Sequence, residues 1–217
     1  MCGFLVRISK NYLSKEKITN VQHSLEERGP DNKGYLSYSI DKNLKLEMIH
    51  TRLAIIGIGE NGNQPLQNEE NILVFNGEIY NYKEFLNSIE DIGDSETLLS
   101  LFKKNNNKDI EKIRGMYSYV CFSKTKKKLI VSRDHFGTKP LFYVKTQQEI
   151  CFSSSIRALR AACGKESIGK LNDYGKLFFL MYGYVAIDKN FTNNLEEIVA
   201  GENIELLLKE NSIEKLK

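Results

Sequence analysis

The sequence contains no tryptophan, only three prolines and three histidines, and four cysteines among 217 residues. The histidines are scattered and the cysteines, which are Cys2, Cys121, Cys151 and Cys163, show no C-x-x-C spacing, so the sequence indicates no metal site. Cys121 and Cys151 lie inside apolar runs and are expected to be buried thiols. This use of cysteine is typical of a reduced, cytoplasmic protein.

Long hydrophobic runs and a strong excess of either charge are also missing. No apolar run approaches the roughly 18 residues of a membrane-spanning helix, and the N-terminus lacks the basic-then-apolar layout of a signal peptide. The 31 basic and 28 acidic residues give a net charge of +3, which is too balanced to indicate a nucleic-acid-binding protein. We therefore expect neither a nucleic-acid partner nor a membrane partner.

Short apolar or alternating segments make up most of the chain and predict an α+β fold. Because tight turns join most of the strand-like segments, we expect antiparallel pairing, with two sheets packed face to face and helices outside. The predicted strands are 2–8, 33–40, 45–57, 71–81, 116–123, 128–134, 140–145 and 149–154. The predicted helices are 15–29, 82–89, 95–104, 155–163 and 171–183, and the polar end of the chain, 209–217, is expected to fray.

The position of Cys2, directly behind the initiator methionine, raises a question of chemistry. A thiol with a pKa of about 8.5 is mostly protonated at neutral pH and needs a base, and no histidine lies in an obvious partnering context. If Met1 is removed, Cys2 gains a free α-amine, and a pKa of about 7.7–8.0 suits a general base. One residue would then supply both nucleophile and base. Chance explains the position equally well unless other motifs support the interpretation, because chain ends are tolerant.

A second motif, FNGEIYN at 75–81, puts Asn76, Gly77 and Glu78 just past an apolar strand. The glycine allows a ligand to approach the backbone closely. An asparagine amide beside a free backbone N–H is a plausible oxyanion hole, although a polar turn would use the same residues.

Charged residues at the ends of other predicted elements have two interpretations each. Arg52 precedes the apolar run LAIIG, so its cation must lie at the rim of a sheet or be paired. Asp94 begins a helix, which favours an N-cap, but its carboxylate could instead bind an ammonium group. Arg133 and Asp134 are expected to form a structural ion pair.

Eight motifs resemble, in the same order, those of the class II glutamine amidotransferase domain, an N-terminal-nucleophile hydrolase. They are MCGF (1–4), RGPD (28–31), HTRLAI (50–55), NQPL (63–66), FNGEIYN (75–81), DSETLL (94–99), GMYSYV (115–120) and RDHFGTKPLFY (133–143). The resemblance is strongest to the glutaminase half of glutamine-dependent asparagine synthetases. It covers residues 2–160 strongly and 170–205 loosely.

The resemblance implies a four-layer αββα sandwich of two mainly antiparallel sheets and a catalytic role for Cys2, Asn76 and Gly77. Cys2 would attack the side-chain amide of glutamine to form a γ-glutamyl thioester and release ammonia, while its α-amine shuttles the proton. Asn76 and Gly77 would form the oxyanion hole and also contact the substrate. The remaining substrate-binding residues implied are Arg52 for the α-carboxylate, Glu78 and Asp94 for the α-ammonium, and Leu53, Ala54, Ile55 and Ile56 as the pocket wall. Residues 28–31 and 133–137 are implied to fix loops around the site.

The domain division follows from the same resemblance. Residues 2–165 are expected to form the glutamine amidotransferase domain, and 166–217 a linker-like extension toward a synthetase domain that is absent, although the prolines typical of the family's linker are missing. No pyrophosphate-binding loop of the Ser-Gly-Gly-Leu-Asp-Ser type occurs in the 217 residues. No cofactor is therefore expected for this chain, and ATP and magnesium are expected only for the synthetase domain.

Three functions remain open from the sequence. The first is a glutaminase that supplies ammonia for asparagine synthesis, with glutamine and a synthetase domain or subunit as partners and a homodimer as a further option. The second is the glutaminase part of an amidotransferase for another acceptor, such as a sugar or a peptide. The third is a non-catalytic scaffold that binds glutamine or a partner protein, against which the joint presence of Cys2, Arg52, Asn76, Gly77 and Asp94 argues.

Overall fold

Two six-stranded sheets form the centre of the molecule. The computed structural model describes residues 1–56, 59–86, 92–103, 107–185, 192–209 and 212–215. The strands are β1 (Gly3–Ser9), β2 (Asn32–Ser39), β3 (Lys45–Arg52), β4 (Leu66–Gln67), β5 (Asn71–Ile79), β6 (Gly115–Ser123), β7 (Lys128–Arg133), β8 (Phe142–Lys145), β9 (Glu149–Ser153), β10 (Leu195–Glu197), β11 (Asn203–Lys209) and β12 (Ser212–Lys215). The helices are α1 (Lys15–Leu25), α2 (Asp94–Lys103), α3 (Asn107–Ile110), α4 (Ile156–Cys163), α5 (Lys165–Ile168) and α6 (Asp173–Tyr182).

Neighbouring strands pair antiparallel in both sheets, as the short connections predict. The first sheet has the order β10-β8-β9-β1-β3-β2 and the second the order β12-β11-β7-β6-β5-β4. Hairpins join β2 to β3, β6 to β7 and β8 to β9. The basic run at 124–128 forms the β6–β7 turn and the start of β7, as predicted.

Three apolar clusters show how the layers stack. The largest lies between the two sheets and takes alternate residues of their strands, such as Phe4, Met48 and Val74. A second cluster joins the outer face of the first sheet to α1 and α4, and a third joins the outer face of the second sheet to α2. Each fully buried aliphatic or aromatic side chain contributes about 1.5–3 kcal/mol. The three clusters show two packed sheets with helices on both outer faces, so the four-layer αββα sandwich is confirmed.

Side-chain alternation along the strands directs polar residues to one end of the space between the sheets. In β1, Phe4, Val6 and Ile8 face the inter-sheet core, so Cys2 continues that row at the start of the strand because strand side chains alternate. By the same period, Asn76 continues the inward row of β5, and His50 and Arg52 continue that of β3. The apolar core thus ends in a group of polar side chains.

The segment after residue 165 adds strands to both sheets. β10 pairs with β8 at the edge of the first sheet, and β11 pairs with β7 in the second. β12, in the polar end that was expected to fray, pairs with β11. The fraying prediction was wrong because main-chain hydrogen bonds to a neighbouring strand do not require apolar side chains. The domain boundary at residue 165 stays a prediction.

Two local predictions were also wrong. Asn76, Gly77 and Glu78 lie inside β5 and pair with β6, rather than following the strand. Arg133 forms its ion pair with Glu197, at 2.6 Å, rather than with Asp134. The side chains of successive residues in a strand or tight turn point in different directions. Asp134 instead accepts hydrogen bonds from four backbone N–H groups of its own loop and of β6.

Two further findings concern helices. In the 82–89 segment, Tyr82–Phe85 form a 3-10 helix, and 87–91 lie outside the described residues. Among the helices that the structure describes, none is both long and apolar enough to cross a membrane.

Candidate active site

A cavity of about 50 Å³ lies at the polar end of the inter-sheet space. It is lined by Met1, Cys2, Arg52, Leu53, Ile55, Ile56, Gly62, Gln64, Phe75, Asn76, Gly77, Glu78, Asp94, Ser95 and Lys139. Every site residue that the sequence indicated belongs to this lining except Ala54, whose backbone N–H donates to Asp31 Oδ2 at 2.8 Å. The predicted site residues that are farthest apart in the sequence, Cys2 and Asp94, are separated by 92 positions and yet line one cavity.

Cys2 is held at the cavity by the backbone of Leu53. The Leu53 N–H donates to Cys2 Sγ at 3.4 Å, and the Sγ lies 3.7 Å from the Leu53 carbonyl oxygen, which accepts from the thiol. Arg28 Nε donates to the Cys2 carbonyl at 3.1 Å and fixes the start of β1. Burial raises the pKa of the thiol despite the Leu53 N–H and the charge of Arg52. The thiol is thus protonated at neutral pH and needs a base to become a nucleophile.

The α-amino group of Met1 lies beside this cysteine, and Met1 also lines the cavity. Burial lowers the pKa of the Met1 α-amine, and the positive charges of Arg28 and Lys139 lower it further, against the raising effect of Cys2 and Asp31. A larger fraction of the Met1 α-amine is therefore unprotonated at neutral pH than of an exposed α-amine.

Asn76 contributes an unusual group to the cavity. Its side chain is fully buried, yet neither Nδ2 nor Oδ1 has a hydrogen-bond partner within the described residues. Buried polar side chains are normally bonded, and an unmade bond costs about 1–3 kcal/mol. An amide in this state, at the same cavity as the Cys2 thiol, is suited to bind a polar ligand atom.

Gly77 supplies a backbone donor beside that amide. In an antiparallel strand, every second N–H points to the same side. The Phe75 N–H donates to Gln64 Oε1 at 2.6 Å, and the Ile79 N–H donates to Asp94 Oδ2 at 3.0 Å. The Gly77 N–H lies between these two and faces the same side, where Gln64 and Asp94 border the cavity. This combination of N–H and amide can stabilise an oxyanion.

Arg52 brings a positive charge to the cavity wall. Its side chain is only 6% exposed, and its guanidinium donates to the carbonyl of Gly59 at 2.8 Å and to Asn63 Oδ1 at 2.9 Å. These contacts to uncharged groups orient the planar fork. A fork held in this way is suited to a carboxylate, because two parallel N–H bonds match two oxygens.

Asp94 and Glu78 bring negative charge to the cavity, which suits a positively charged group of a ligand. Asp94 Oδ1 accepts from the Ser95 N–H at 2.9 Å and Oδ2 accepts from the Ile79 N–H, so the carboxylate ties the start of α2 to the end of β5. Burial raises the pKa of Asp94, and the neighbouring charge of Glu78 adds to that effect. A cationic ligand between them would relieve this repulsion.

Several residues of the lining were not indicated by sequence. Gln64 fixes the backbone of β5, and Lys139 is a buried cation, 6% exposed, at the same cavity. Their motifs, NQPL and RDHFGTKPLFY, did signal the region. Lys139 is held in place through its N–H, which donates to Asp134 Oδ2 at 3.1 Å, and its carbonyl, which accepts from Arg133.

His50 lies behind the cavity and cannot be the missing base. It is fully buried, and its Nε2 lies 3.2 Å from the Phe75 carbonyl oxygen, to which a neutral ring donates. Burial lowers the pKa of His50 to about 4, although the bond to Phe75 acts in the opposite direction. The ring is therefore neutral at pH 7 and bridges β3 to β5.

Comparison with protein families and with solved structures agrees with this arrangement. The family model described as a glutamine amidotransferase domain matches residues 1–216. In fold, the chain is similar to the glutamine phosphoribosylpyrophosphate amidotransferase of Bacillus subtilis, with a TM-score of 0.62 and 19% identity over 98% of this chain and 48% of that one.

Two curated relatives share more of the sequence. Asparagine synthetase (glutamine-hydrolyzing) 1 of Bacillus subtilis is 33% identical over 78% of this chain and 28% of its own length. A protein of Methanocaldococcus jannaschii, named as an inferred asparagine synthetase (glutamine-hydrolyzing) 2, is 31% identical over 99% of this chain and 46% of its own length. The chain therefore spans less than half the length of either relative.

Proposed function

The chain belongs to the family of glutamine amidotransferase domains, and we propose that it hydrolyses the side-chain amide of glutamine to glutamate and ammonia. The reaction runs through a thioester on Cys2, and the ammonia serves ATP-dependent synthesis of asparagine from aspartate in a synthetase domain or subunit. The names of the two curated relatives support that acceptor. Glutamine hydrolysis itself uses no cofactor, since nucleophile, base and oxyanion donors are all groups of this chain.

The proposed chemistry begins once Met1 has been removed and Cys2 carries a free α-amine. The amine takes the thiol proton as Sγ attacks the amide carbon, and the carbonyl oxygen becomes an oxyanion at Asn76 Nδ2 and the Gly77 N–H. The protonated amine then gives its proton to the leaving nitrogen, which departs as ammonia. Water, deprotonated by the same amine, attacks the thioester carbon and releases glutamate and the thiol.

One observation carries the proposal: the fully buried Asn76 amide, without a partner among the described residues, lines the same cavity as Cys2. Hydrogen bonds that form only when charge develops on the substrate lower the barrier rather than the ground state. A donor that is buried and has no partner among the described residues has this property.

The charges around the cavity support an α-amino acid as the substrate. Arg52 suits the α-carboxylate, and Glu78 with Asp94 suits the α-ammonium, so the two charged groups on Cα are bound by separate side chains. The backbone of Leu53, Ile55 and Ile56 forms the wall along the side chain. Truncating one partner of such a buried charged contact costs about 2–5 kcal/mol of binding.

A partner domain or subunit is supported by α6 and by length. Leu177, Leu180, Met181 and Tyr182 of α6 are each more than half exposed, at 56%, 81%, 62% and 56%. Apolar side chains grouped on one helix are typical of a surface that another protein covers. The relatives that the chain matches are more than twice its length.

The decisive experiment compares Cys2→Ala with the unaltered chain and with Cys163→Ala, a half-buried cysteine outside the cavity. We expect Cys2→Ala to release no ammonia from glutamine, because no nucleophile remains, while Cys163→Ala retains full activity. A glutamine analogue with an electrophilic side-chain ketone should label Cys2, as peptide mass mapping would locate. Labelling of another cysteine, or ammonia release by Cys2→Ala, would contradict the proposal.

A further inference from the structure

Cys151 and Cys163 form a close pair of thiols that the established family chemistry does not use. Their sulfurs are 2.7 Å apart, although the residues are 12 positions apart in the chain. Cys151 lies in β9 with its side chain fully buried, and Cys163 is the last residue of α4 and is half-buried. The pair therefore spans the contact between the first sheet and its covering helix.

The surface next to Cys163 gives a small reagent access to one sulfur only. Cys163 borders an open cleft of about 720 Å³, and Cys151 does not. The cleft also carries the cations Arg7, Lys10 and Lys17, and Lys17 Nζ donates to the carbonyl of Ala162, the residue before Cys163, at 3.2 Å.

Glu149 makes the pair resemble a metal site, but its contacts argue for a different chemistry. A carboxylate oxygen of Glu149 lies within 4.8 Å of both sulfurs. Arg7 Nε, however, donates to Glu149 Oε2 at 2.5 Å, which leaves a cation where a metal ion would bind. Two sulfurs on a tetrahedral zinc ion, with Zn–S bonds of about 2.3 Å, would be roughly 3.8 Å apart, well beyond the observed 2.7 Å.

We propose that Cys151 and Cys163 are a dithiol that small-molecule disulfides oxidise reversibly to a disulfide bond joining β9 to α4. The Cys163 thiolate attacks one sulfur of the reagent, whose S–S bond breaks and whose other half leaves as a thiol. The Cys151 thiolate then attacks Cys163 Sγ and displaces the second half. Two protein thiols lose two electrons and two protons, and one reagent disulfide is reduced to two thiols.

The order of these steps follows from burial. Burial and the neighbouring Cys163 raise the pKa of Cys151, so that Cys151 is the poorer first nucleophile. Its sulfur already touches the one it must attack, which makes the second step intramolecular. The bond would fix α4 to the sheet, where β9 pairs with β1, opposite Arg7.

Mass spectrometry of the full chain treated with glutathione disulfide tests the proposal independently of any activity on glutamine. In a Cys2→Ala background, which removes the N-terminal thiol, we expect a loss of two hydrogens in mass. Trypsin should then yield one cross-linked product of peptides 146–157 and 161–165, which a thiol reductant separates. Thermal unfolding should shift to higher temperature by several degrees in the oxidised form, because the cross-link restricts the unfolded chain.

Single variants distinguish the two roles. Cys151→Ala should accumulate a glutathione adduct on Cys163, because nothing displaces it, whereas Cys163→Ala should gain neither an adduct nor a cross-link. Cys121→Ala, a buried cysteine of the other sheet, should behave as the parent does. The proposal is overturned if the native chain forms no 151–163 bond in excess glutathione disulfide, forms it only in denaturant, or instead binds zinc through both sulfurs.

Discussion

At the scale of single residues, Asn76 and His50 are polar side chains that are buried without all of their hydrogen-bond partners. The Asn76 side chain has both amide atoms unpartnered, and His50 has Nδ1 unpartnered, within the part of the chain that the structure describes. Each such atom costs about 1–3 kcal/mol of folding free energy. At Asn76 a ligand oxyanion would offset that cost, whereas at His50 the cost selects the neutral ring.

Replacing Asn76 by alanine should slow turnover with little effect on glutamine binding. Loss of one oxyanion donor lowers kcat by about 10²–10³-fold, and KM should change much less, because the donor acts on charge that forms only during reaction. Steady-state ammonia release measures both constants. Asn71→Ala is the matched control, since Asn71 Nδ2 is also unpartnered but lies at the other end of β5. Equal losses in the two variants would mean that general disturbance of the strand, and not an oxyanion hole, is the cause.

His50 should make the folded state lose stability as the pH falls. Its pKa is about 4 in the folded protein and 6.5 in an unfolded chain, so between these values the unfolded chain binds a proton that the folded chain does not. The free energy of unfolding therefore decreases as the pH falls from 6.5 to 4, by about 3 kcal/mol for this residue. Urea unfolding across that window measures the slope. His50→Gln should flatten it, and the exposed His23→Gln should not; the same slope in His50→Gln would contradict the assignment.

At the scale of elements, the pairing of β5 with β6 fixes the position of Gly77, one of the two proposed oxyanion donors. Gly77 pairs with Tyr117, and a Cβ on Gly77 would lie 2.1 Å from the Met116 carbonyl oxygen and 2.7 Å from Tyr117 Cα. The loop after β7 holds this edge, because Asp134 Oδ2 accepts from the Tyr117 N–H at 3.2 Å. Burial raises the pKa of Asp134, but the N–H groups of Thr138 and Lys139 outweigh it and lower the value overall.

Gly77→Ala should therefore force the two strands apart where the site is built. Both the contact with backbone atoms, which cannot rotate away, and the φ of +157° oppose a side chain there. We expect a loss of about 1–3 kcal/mol in stability together with loss of ammonia release, measured by thermal unfolding and by activity. Gly59→Ala, where a Cβ would meet nothing within 4 Å, should retain the stability of the parent. An active, fully stable Gly77→Ala protein would show that the close approach is not required.

At the scale of the whole molecule, the two sheets bring the start of the chain to residues far along it. β1 lies in the interior of the first sheet, and β5 belongs to the second sheet. The inward-facing side chains of both strands lead to the cavity, which Met1 also lines. With Met1 present, the cavity of about 50 Å³ has room for a few waters at most. Glutamine is larger than that, so on the proposed function we expect removal of Met1 to widen the site as well as to free the α-amine.

Active protein should therefore lack Met1. While Met1 is attached, the Cys2 nitrogen is an amide without an available lone pair and cannot accept the thiol proton. Intact-mass measurement of an active sample should show a chain that begins at Cys2, and a variant with an uncleaved N-terminal extension should hydrolyse glutamine negligibly. Full activity of a sample that retains Met1 would refute the N-terminal-nucleophile mechanism and leave the position of Cys2 without a chemical reason.

The sequence by itself determined the elements and the family. Period-two runs such as that of β2, and the spacing of Val21 and Leu25 in α1, predict which segments pack, because burial of one face decides the local structure. The resemblance also implied all ten site residues from Cys2 to Asp94, and nine of these line the cavity. Their individual catalytic and binding roles stay predictions.

Tertiary structure alone decided which distant groups meet. The pairing of Arg133 with Glu197, the closeness of Cys151 to Cys163, and the arrival of Lys139 at the cavity each depend on strand order and register. No local pattern encodes these contacts, since each joins residues on different elements. The strand β12 formed for a related reason: a polar segment pairs when a neighbouring strand presents free backbone groups, which depends on the edge it meets and not on its own side chains.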